Sequence, residues 1–162
     1  MNRFPVRKVA VLGAGVMGAQ IAAHLVNCKV PVVLFDLPAG TGPQTQAAPA
    51  SPPEGVASTG KAGSKPGPKS GIPIKAIDNL KKLKPAPLGV AEDAALIQPA
   101  NYEEHLPLLG TCDLVIEAIA ERMDWKLDLY TKIAPALSAH AIVASNTSGL
   151  SITRLSEALP EA

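Results

Sequence analysis

Short runs of consecutive apolar residues alternate along the chain with segments whose apolar positions follow a helical period. Uninterrupted apolar and β-branched runs are typical of strands covered on both faces of a parallel sheet. The strand candidates are Val9–Leu12, Val30–Phe35, Leu114–Ile119 and Ala141–Ala144, with a weaker one at Leu96–Pro99. The helix candidates are Val16–Cys28, Ile74–Leu83, Asp124–Ile133 and Ile152–Leu159. Strands and helices in this order predict the α/β class, with right-handed crossovers in an open, mainly parallel sheet.

The third helix candidate carries its own prediction of orientation. Trp125, Leu129 and Ile133 recur every four residues, which places them on one face of a helix. We expect that face to pack against the sheet.

Residues 38–71 interrupt this alternation. They contain seven of the 16 prolines and seven of the 13 glycines, and no Leu, Ile, Met or aromatic residue. Such a segment buries too little apolar surface to offset the entropy of ordering its backbone. We therefore predict one domain over residues 1–162, with a flexible Pro/Gly-rich insertion at 38–71.

Composition narrows the function classes. Hydrophobic residues make up 47% of the 162 residues and aromatic residues only 3%, which predicts an aliphatic core and excludes a fully disordered chain. The formal net charge of +1 provides no global field for nucleic acid or for an acidic membrane surface. We expect neither as a partner.

The chain start and the cysteines bear on location. Basic residues followed by the apolar run Val9–Val26 superficially resemble a secretory signal, but Gln20 and His24 interrupt that run. Cys28 and Cys112 are too few and too far apart for a disulfide framework or a metal site. We expect a cytoplasmic protein without a metal.

A glycine motif follows the first strand directly. Residues 13–18 read Gly13, Ala14, Gly15, Val16, Met17, Gly18. Such glycines allow a tight turn, a close approach of backbone to a pyrophosphate, and close packing of helix on strand. Asp36 ends the second strand, where a carboxylate can accept hydrogen bonds from both ribose hydroxyls and repels a 2'-phosphate. The unit predicts a Rossmann-type fold that binds NAD rather than NADP, although a glycine turn without a ligand is the alternative.

Three segments together resemble the NAD-binding part of the 3-hydroxyacyl-CoA dehydrogenases of fatty-acid β-oxidation. They are residues 9–22 around the glycine motif, residues 113–121 (Asp-Leu-Val-Ile-Glu-Ala-Ile-Ala-Glu), and residues 144–152 (Ala-Ser-Asn-Thr-Ser-Gly-Leu-Ser-Ile). The resemblance extends from about Arg7 to the last residue, excluding the insertion. It implies a doubly wound sheet truncated before its last strand and before a helical C-terminal domain, and it allows for a homodimer of the parent enzyme.

The resemblance also implies roles for particular residues. Ala118, Ile119, Glu121 and Lys126 border the nicotinamide and its ribose, with an exposed helix cation as the alternative for Lys126. Asn146 would contact the nicotinamide side of the cofactor. The Ser148 hydroxyl would contact the 3-oxygen of the substrate and orient it for hydride transfer, whereas by itself the segment would more often be a helix cap.

Other expectations concern coenzyme A and the general base. The helix containing Lys75, Lys81, Lys82 and Lys84 occupies the place where the family touches CoA, although a solvated helix face explains these lysines equally well. The family's histidine base and its glutamate belong to a segment beyond the 162 residues. None of the three histidines, His24, His105 and His140, matches that motif.

The function expected from the sequence is the NAD-binding part of an L-3-hydroxyacyl-CoA dehydrogenase that would have little turnover alone. Two alternatives stay open. One is an NAD-dependent dehydrogenase of a small β-hydroxy acid without CoA, and the other is a non-catalytic NAD-binding module.

Overall fold

The computed structural model describes residues 4–39 and 70–159. The predicted insertion at 38–71 falls mostly on residues 40–69, which lie outside the described part. The strands are β1 (Val9–Leu12), β2 (Val32–Asp36), β3 (Ile97–Asn101), β4 (Leu114–Glu117) and β5 (Ile142–Ser145). The α-helices are α1 (Val16–Asn27), α2 (Gly71–Leu80), α3 (Met123–Ile133) and α4 (Ile152–Ser156). Short 3-10 turns lie at Ala91–Leu96, Leu106–Thr111 and Ala134–Ala136.

The five strands form one sheet in the order β3-β2-β1-β4-β5, and every neighbouring pair is parallel. The chain runs outward from β1 to β3 and then returns to β4 on the other side of β1. Strand order therefore reverses between β1 and β4, and in such sheets ligands bind beyond the carboxyl ends of the strands at this switch point. The predicted doubly wound, parallel α/β fold is confirmed.

Alternate residues of the central strands point to opposite faces of the sheet and pack into two separate hydrophobic cores. Val9 and Val11 of β1 pack with the alanine-rich face of α1 and with α2. Ala10 and Leu12 point to the opposite face, where they pack with α3 and α4. Both β1 and most of β2 are fully buried, as the uninterrupted apolar runs predicted.

Strand β2 begins later than predicted because the residues that precede it form the C-terminal end of α1. Lys29 has a positive φ of 61°, the N–H of Lys29 donates to the Val26 carbonyl, and that of Val30 donates to the Leu25 carbonyl. These two bonds form a Schellman motif, with lysine in place of the usual glycine. Val30 is thus part of the helix end, and the predicted start of the strand at Val30 is wrong.

Helix α2 runs from Gly71 to Leu80 rather than from 74 to 83. Pro73 lies in its first turn, where a missing N–H costs no hydrogen bond, so the proline does not prevent the helix from starting at Gly71. The helix therefore begins at the last residue of the predicted insertion. Among the four lysines expected on this helix, only Lys75 lies within it. The other three follow its end, at positions 81, 82 and 84.

The third strand was predicted to stop at Pro99 but continues to Asn101. Among the described residues it lies at the edge of the sheet and pairs only with β2, and an edge strand tolerates proline. At the other edge β5 ends at Ser145, one residue later than predicted. Helix α4 ends at Ser156, three residues earlier than predicted, and Ser151 caps it by accepting from the Arg154 N–H at 3.3 Å.

Helix α3 faces the sheet with Leu129 and Ile133, as predicted, but not with Trp125. Trp125 is 38% exposed, and the Arg122 guanidinium lies 4.5 Å from its ring centroid. Lys126 and Tyr130 take the buried positions instead. Within residues 4–39 and 70–159, no helix is both long and apolar enough to span a membrane.

The contact that fixes α1 on β1 generates a first prediction. A Cβ at Gly18 would lie 1.8 Å from the Gly13 carbonyl oxygen, whereas a Cβ at Gly15 would meet nothing within 4 Å. Gly18→Ala should lower the free energy of unfolding by about 3 kcal/mol, because the helix must move off the strand. Gly15→Ala should cost only about 0.5–1 kcal/mol, because it changes a helix cap in open space. Urea unfolding of both variants checks this, and equal losses would contradict it.

Candidate functional site

The glycine turn forms a cradle at the carboxyl end of β1. Gly13 has a φ of 105°, and a Cβ there would lie 2.8 Å from the Ala118 carbonyl oxygen, so this position requires glycine twice over. Helix α1 begins right after Gly15, without a side-chain cap and without an acidic residue in its first turn. Val16 and Met17 are 76% and 54% exposed. An uncapped helix start beside open space is suited to bind a phosphate group.

Asp36 connects the end of β2 to this cradle. Its Oδ2 accepts a hydrogen bond from the Ala14 N–H at 2.6 Å, and its Oδ1 accepts one from the Leu37 N–H at 2.7 Å. The side chain is partly exposed, so it also faces solvent beside the turn. Asp36 therefore lies beside the glycine turn, and its role as a ribose ligand stays a prediction.

The loop after β4 adjoins the glycine turn from the other side. The Ala118 N–H donates to the Leu12 carbonyl at 2.8 Å, and Ile119 lies near the Gly13 backbone. The predicted continuation of β4 to Ile119 is wrong, because the Glu117 carboxylate accepts the Ile119 N–H at 2.8 Å and turns the chain. Ala118 and Ile119 consequently lie at the switch point itself.

Lys126 is fully buried, so the alternative of an exposed helix cation is wrong. Its Nζ donates to Glu117 Oε1 at 2.6 Å and lies 3.8 Å from Glu121 Oε2. An amine without solvent contact requires such a partner. Its expected contact with the cofactor stays a prediction.

Glu121 holds the loop that follows β5. Its Oε1 accepts the N–H groups of Ser148 and Gly149, each at 2.9 Å, and the Thr147 hydroxyl. These hydrogen bonds, with the Thr147 hydroxyl contributing most, lower the pKa of Glu121 from 4.5 to about 2. Glu121 is therefore ionised at neutral pH and orders the loop that was expected to touch the nicotinamide and the substrate.

Asn146 and Ser148 lie in that loop at the carboxyl end of β5. The Asn146 N–H donates to the Glu117 carbonyl at 2.7 Å, and both side chains are exposed. In contrast, His24 and His140 are exposed away from this loop, and His105 accepts the Asn101 N–H through Nδ1 at 3.2 Å. No cluster of metal-ligating side chains occurs in the described ranges, with their gap at 40–69.

The structure thus brings the sequence-predicted residues into one row along the carboxyl edge. Asp36 contacts the glycine turn, the glycine turn contacts Ala118, and Glu121 contacts the loop of Ser148. The residues present fit a dinucleotide, because the row offers a carboxylate for a ribose, an uncapped helix start for phosphates, and an exposed polar loop at its far end.

Sequence reasoning missed Glu117, Ser145 and Thr147. A signal for Glu117 was available, since a lone carboxylate inside the apolar run 114–119 must find a partner when the strand is buried. The sequence did not identify Lys126 as that partner, although it lies only nine residues after Glu117. The packing of α3 on the sheet determines which side chain reaches the carboxylate.

The sheet order, the glycine turn and the acidic end of β2 define a dinucleotide-binding domain of the kind found in dehydrogenases. The chain belongs to the family described as 3-hydroxyacyl-CoA dehydrogenase, NAD binding domain, whose model matches residues 8–162. NAD is accordingly the cofactor of this domain, and the expectation from the sequence is confirmed.

Named relatives agree with this family. The chain is 38% identical over 156 residues to a putative fatty acid oxidation complex trifunctional enzyme of Rickettsia felis, covering 96% of this chain and 18% of that protein. It is 34% identical over 152 residues to a probable 3-hydroxyacyl-CoA dehydrogenase of Bacillus subtilis, covering 94% of this chain and 18% of that protein. The chain therefore spans less than a fifth of the length of these two curated relatives.

A solved structure shares the fold. The 3-hydroxybutyryl-CoA dehydrogenase of Escherichia coli matches with a TM-score of 0.66 and 24% sequence identity, over 96% of this chain and 28% of that chain. This likeness supports the Rossmann-type architecture described above.

The Glu121 network generates a second prediction. We expect Glu121 to titrate near pH 2, and Thr147→Val to move its pKa upward, because the hydroxyl that contributes most is lost. Since the folded-state pKa is depressed, the carboxylate stabilises the fold above pH 4.5, and this contribution is lost as the pH falls from 4.5 toward 2. Carbon-detected NMR of the side-chain carboxyl measures both values.

Thr131→Val provides the matched control for this titration. Its hydroxyl bonds the Leu127 carbonyl on α3 at 2.9 Å, so its loss should leave Glu121 unchanged. A wild-type Glu121 that titrates at its ordinary value would contradict the network.

Proposed function

We propose that this chain supplies the cofactor platform of an NAD-dependent L-3-hydroxyacyl-CoA dehydrogenase, which oxidises 3-hydroxyacyl-CoA to 3-oxoacyl-CoA. The observation that carries the proposal is the row from Asp36 through the glycine turn to Glu121 and Ser148, in a chain of this family. The proposal extends to a substrate and a reaction, which belong to the whole protein that contains this domain.

Each part of the row has a role in the proposed complex. The Asp36 carboxylate would accept the adenosine ribose hydroxyls, and the amides at the start of α1 would bind the diphosphate. Asn146, Glu121 and the backbone of Ala118 and Ile119 would border the nicotinamide end. When bound, NAD supplies the acceptor for the hydride from C3 of the substrate.

Ser148 is the residue of this chain that we assign to the substrate. It is exposed, and its backbone N–H donates to Glu121 at 2.9 Å, so its side chain stands on a loop that this hydrogen bond anchors. A hydroxyl held there can donate a hydrogen bond to the 3-oxygen of the substrate and restrict its orientation. The general base would come from outside these 162 residues, by resemblance to the family.

The proposal extends to the cellular setting. A reducing cytoplasm suits the chain, since Cys28 and Cys112 are both free thiols.

Cofactor choice provides the third prediction. Calorimetric titration of the 162-residue chain should show saturable binding of NADH and none of NADPH, because a 2'-phosphate would meet the Asp36 carboxylate. Asp36→Asn should weaken NADH binding by about tenfold and narrow the difference between the two nucleotides. Asp128→Asn, at an exposed position of α3, should change neither. Equal binding of NADH and NADPH by the wild type would contradict the assignment of Asp36.

Substrate class provides the fourth prediction, tested on a longer protein that contains this domain. NADH oxidation should be rapid with acetoacetyl-CoA and slow with free acetoacetate, and Ser148→Ala should lower kcat by about 100-fold while the Kd for NADH stays unchanged. Equal rates with the two substrates would instead favour a dehydrogenase of small β-hydroxy acids.

A further inference from the structure

One carboxylate at the end of β4 is saturated with hydrogen bonds. Glu117 is fully buried, and its Oε1 accepts Lys126 Nζ at 2.6 Å and the Ile119 N–H at 2.8 Å. Its Oε2 accepts the Ser145 hydroxyl at 2.6 Å and the Tyr130 hydroxyl at 3.5 Å. Two carboxylate oxygens provide about four lone-pair sites, so Glu117 has no capacity left for a ligand.

Two of these four donors adjoin the nicotinamide end of the proposed site. The Ile119 N–H is in the loop that follows β4, and the Ser145 hydroxyl stands at the last residue of β5. Ser145 Oγ in turn accepts the Thr147 N–H at 3.3 Å, one residue before Ser148. The buried Glu117 carboxylate therefore holds the loop after β4 directly, through Ile119, and the loop after β5 indirectly, through Ser145.

Lys126 makes this arrangement possible. A buried carboxylate without a counter-charge would be too costly, and the Lys126 ammonium supplies that charge from α3. A pair of apolar residues would often give equal stability at such a position. Apolar side chains, however, could not accept the hydrogen bonds of Ile119 and Ser145.

The adenosine end of the site is held by other hydrogen bonds and contacts. Asp36 accepts the Ala14 N–H, and Gly13 and Gly18 pack against each other, whereas none of the four side-chain hydrogen bonds of Glu117 goes to these residues. A defect at Glu117 should thus reach one end of the cofactor and spare the other.

We propose that Glu117 is a positioning residue for the nicotinamide half of the cofactor, acting through Ile119 and through Ser145. The inference rests on the proposed function, because it assumes that the two loops border the nicotinamide. It differs from a general structural role in that it restricts the effect to one half of a dinucleotide.

The test compares, for the 162-residue chain, the affinities of NADH and of ADP, which carries the adenosine and two phosphates but no nicotinamide. Ser145→Ala removes the hydroxyl but leaves the ion pair, and it should weaken NADH by about tenfold while ADP binding stays unchanged. Glu117→Gln should weaken NADH further, again without an effect on ADP. Ser145→Thr restores a hydroxyl and should restore NADH affinity.

Controls and contrary outcomes separate the inference from the proposed function. Ser156→Ala removes an exposed hydroxyl that bonds the Thr153 carbonyl of α4, and it should affect neither nucleotide. Folding of every variant is checked by thermal unfolding, and Ser145→Ala decides the matter if Glu117→Gln does not fold. Unchanged NADH affinity in folded Ser145→Ala, or equal losses for NADH and ADP, would overturn the inference alone. A wild-type chain that binds neither nucleotide would overturn the proposed function as well.

Discussion

The architecture depends on the close approach of one helix to one strand. Gly18 of α1 lies so near the Gly13 carbonyl that a Cβ there would be 1.8 Å from the oxygen. The buried face of α1 continues with the small residues Ala19, Ala22 and Ala23, which keeps the helix close to the sheet along its length. Because the helix starts directly after the strand, the unpaired N–H groups of its first turn face the switch point of the sheet. The fold and the proposed phosphate site follow from the same contact.

Carboxylates then hold the loops that surround this opening. Asp36 binds the Ala14 N–H, Glu117 binds the Ile119 N–H, and Glu121 binds the N–H groups of two residues after β5. Each hydrogen bond joins an ionised acceptor to a backbone donor, which is a stronger bond than one between neutral groups. The loops gain order without secondary structure of their own, and a site built from loops needs such order to act as a preformed surface.

Much of this was predictable because it depends on local pattern. The apolar runs predicted the strands of the sheet, and the glycine spacing with Asp36 predicted the cradle, since Gly13 and Gly18 each answer a steric demand within one turn. The ends of the elements were less predictable. The Schellman motif at Lys29 and the turn at Glu117 depend on hydrogen bonds that periodicity does not reveal. Likewise, the burial of Lys126 instead of Trp125 follows from a partner on the preceding strand, which no helical pattern contains.

The number of free lone pairs separates the three carboxylates by role. Asp36 accepts one N–H on each oxygen, so about one site per oxygen remains for the hydroxyls of a ribose. Glu121 accepts three donors on Oε1, namely the Thr147 hydroxyl and the N–H groups of Ser148 and Gly149. Its Oε2 lies 3.8 Å from Lys126 Nζ and its side chain is 43% exposed, so that oxygen can still accept a ligand donor. Glu117 has none to spare. Two carboxylates can therefore serve both the loops and a cofactor, whereas the third can act on a cofactor only through the groups that it holds.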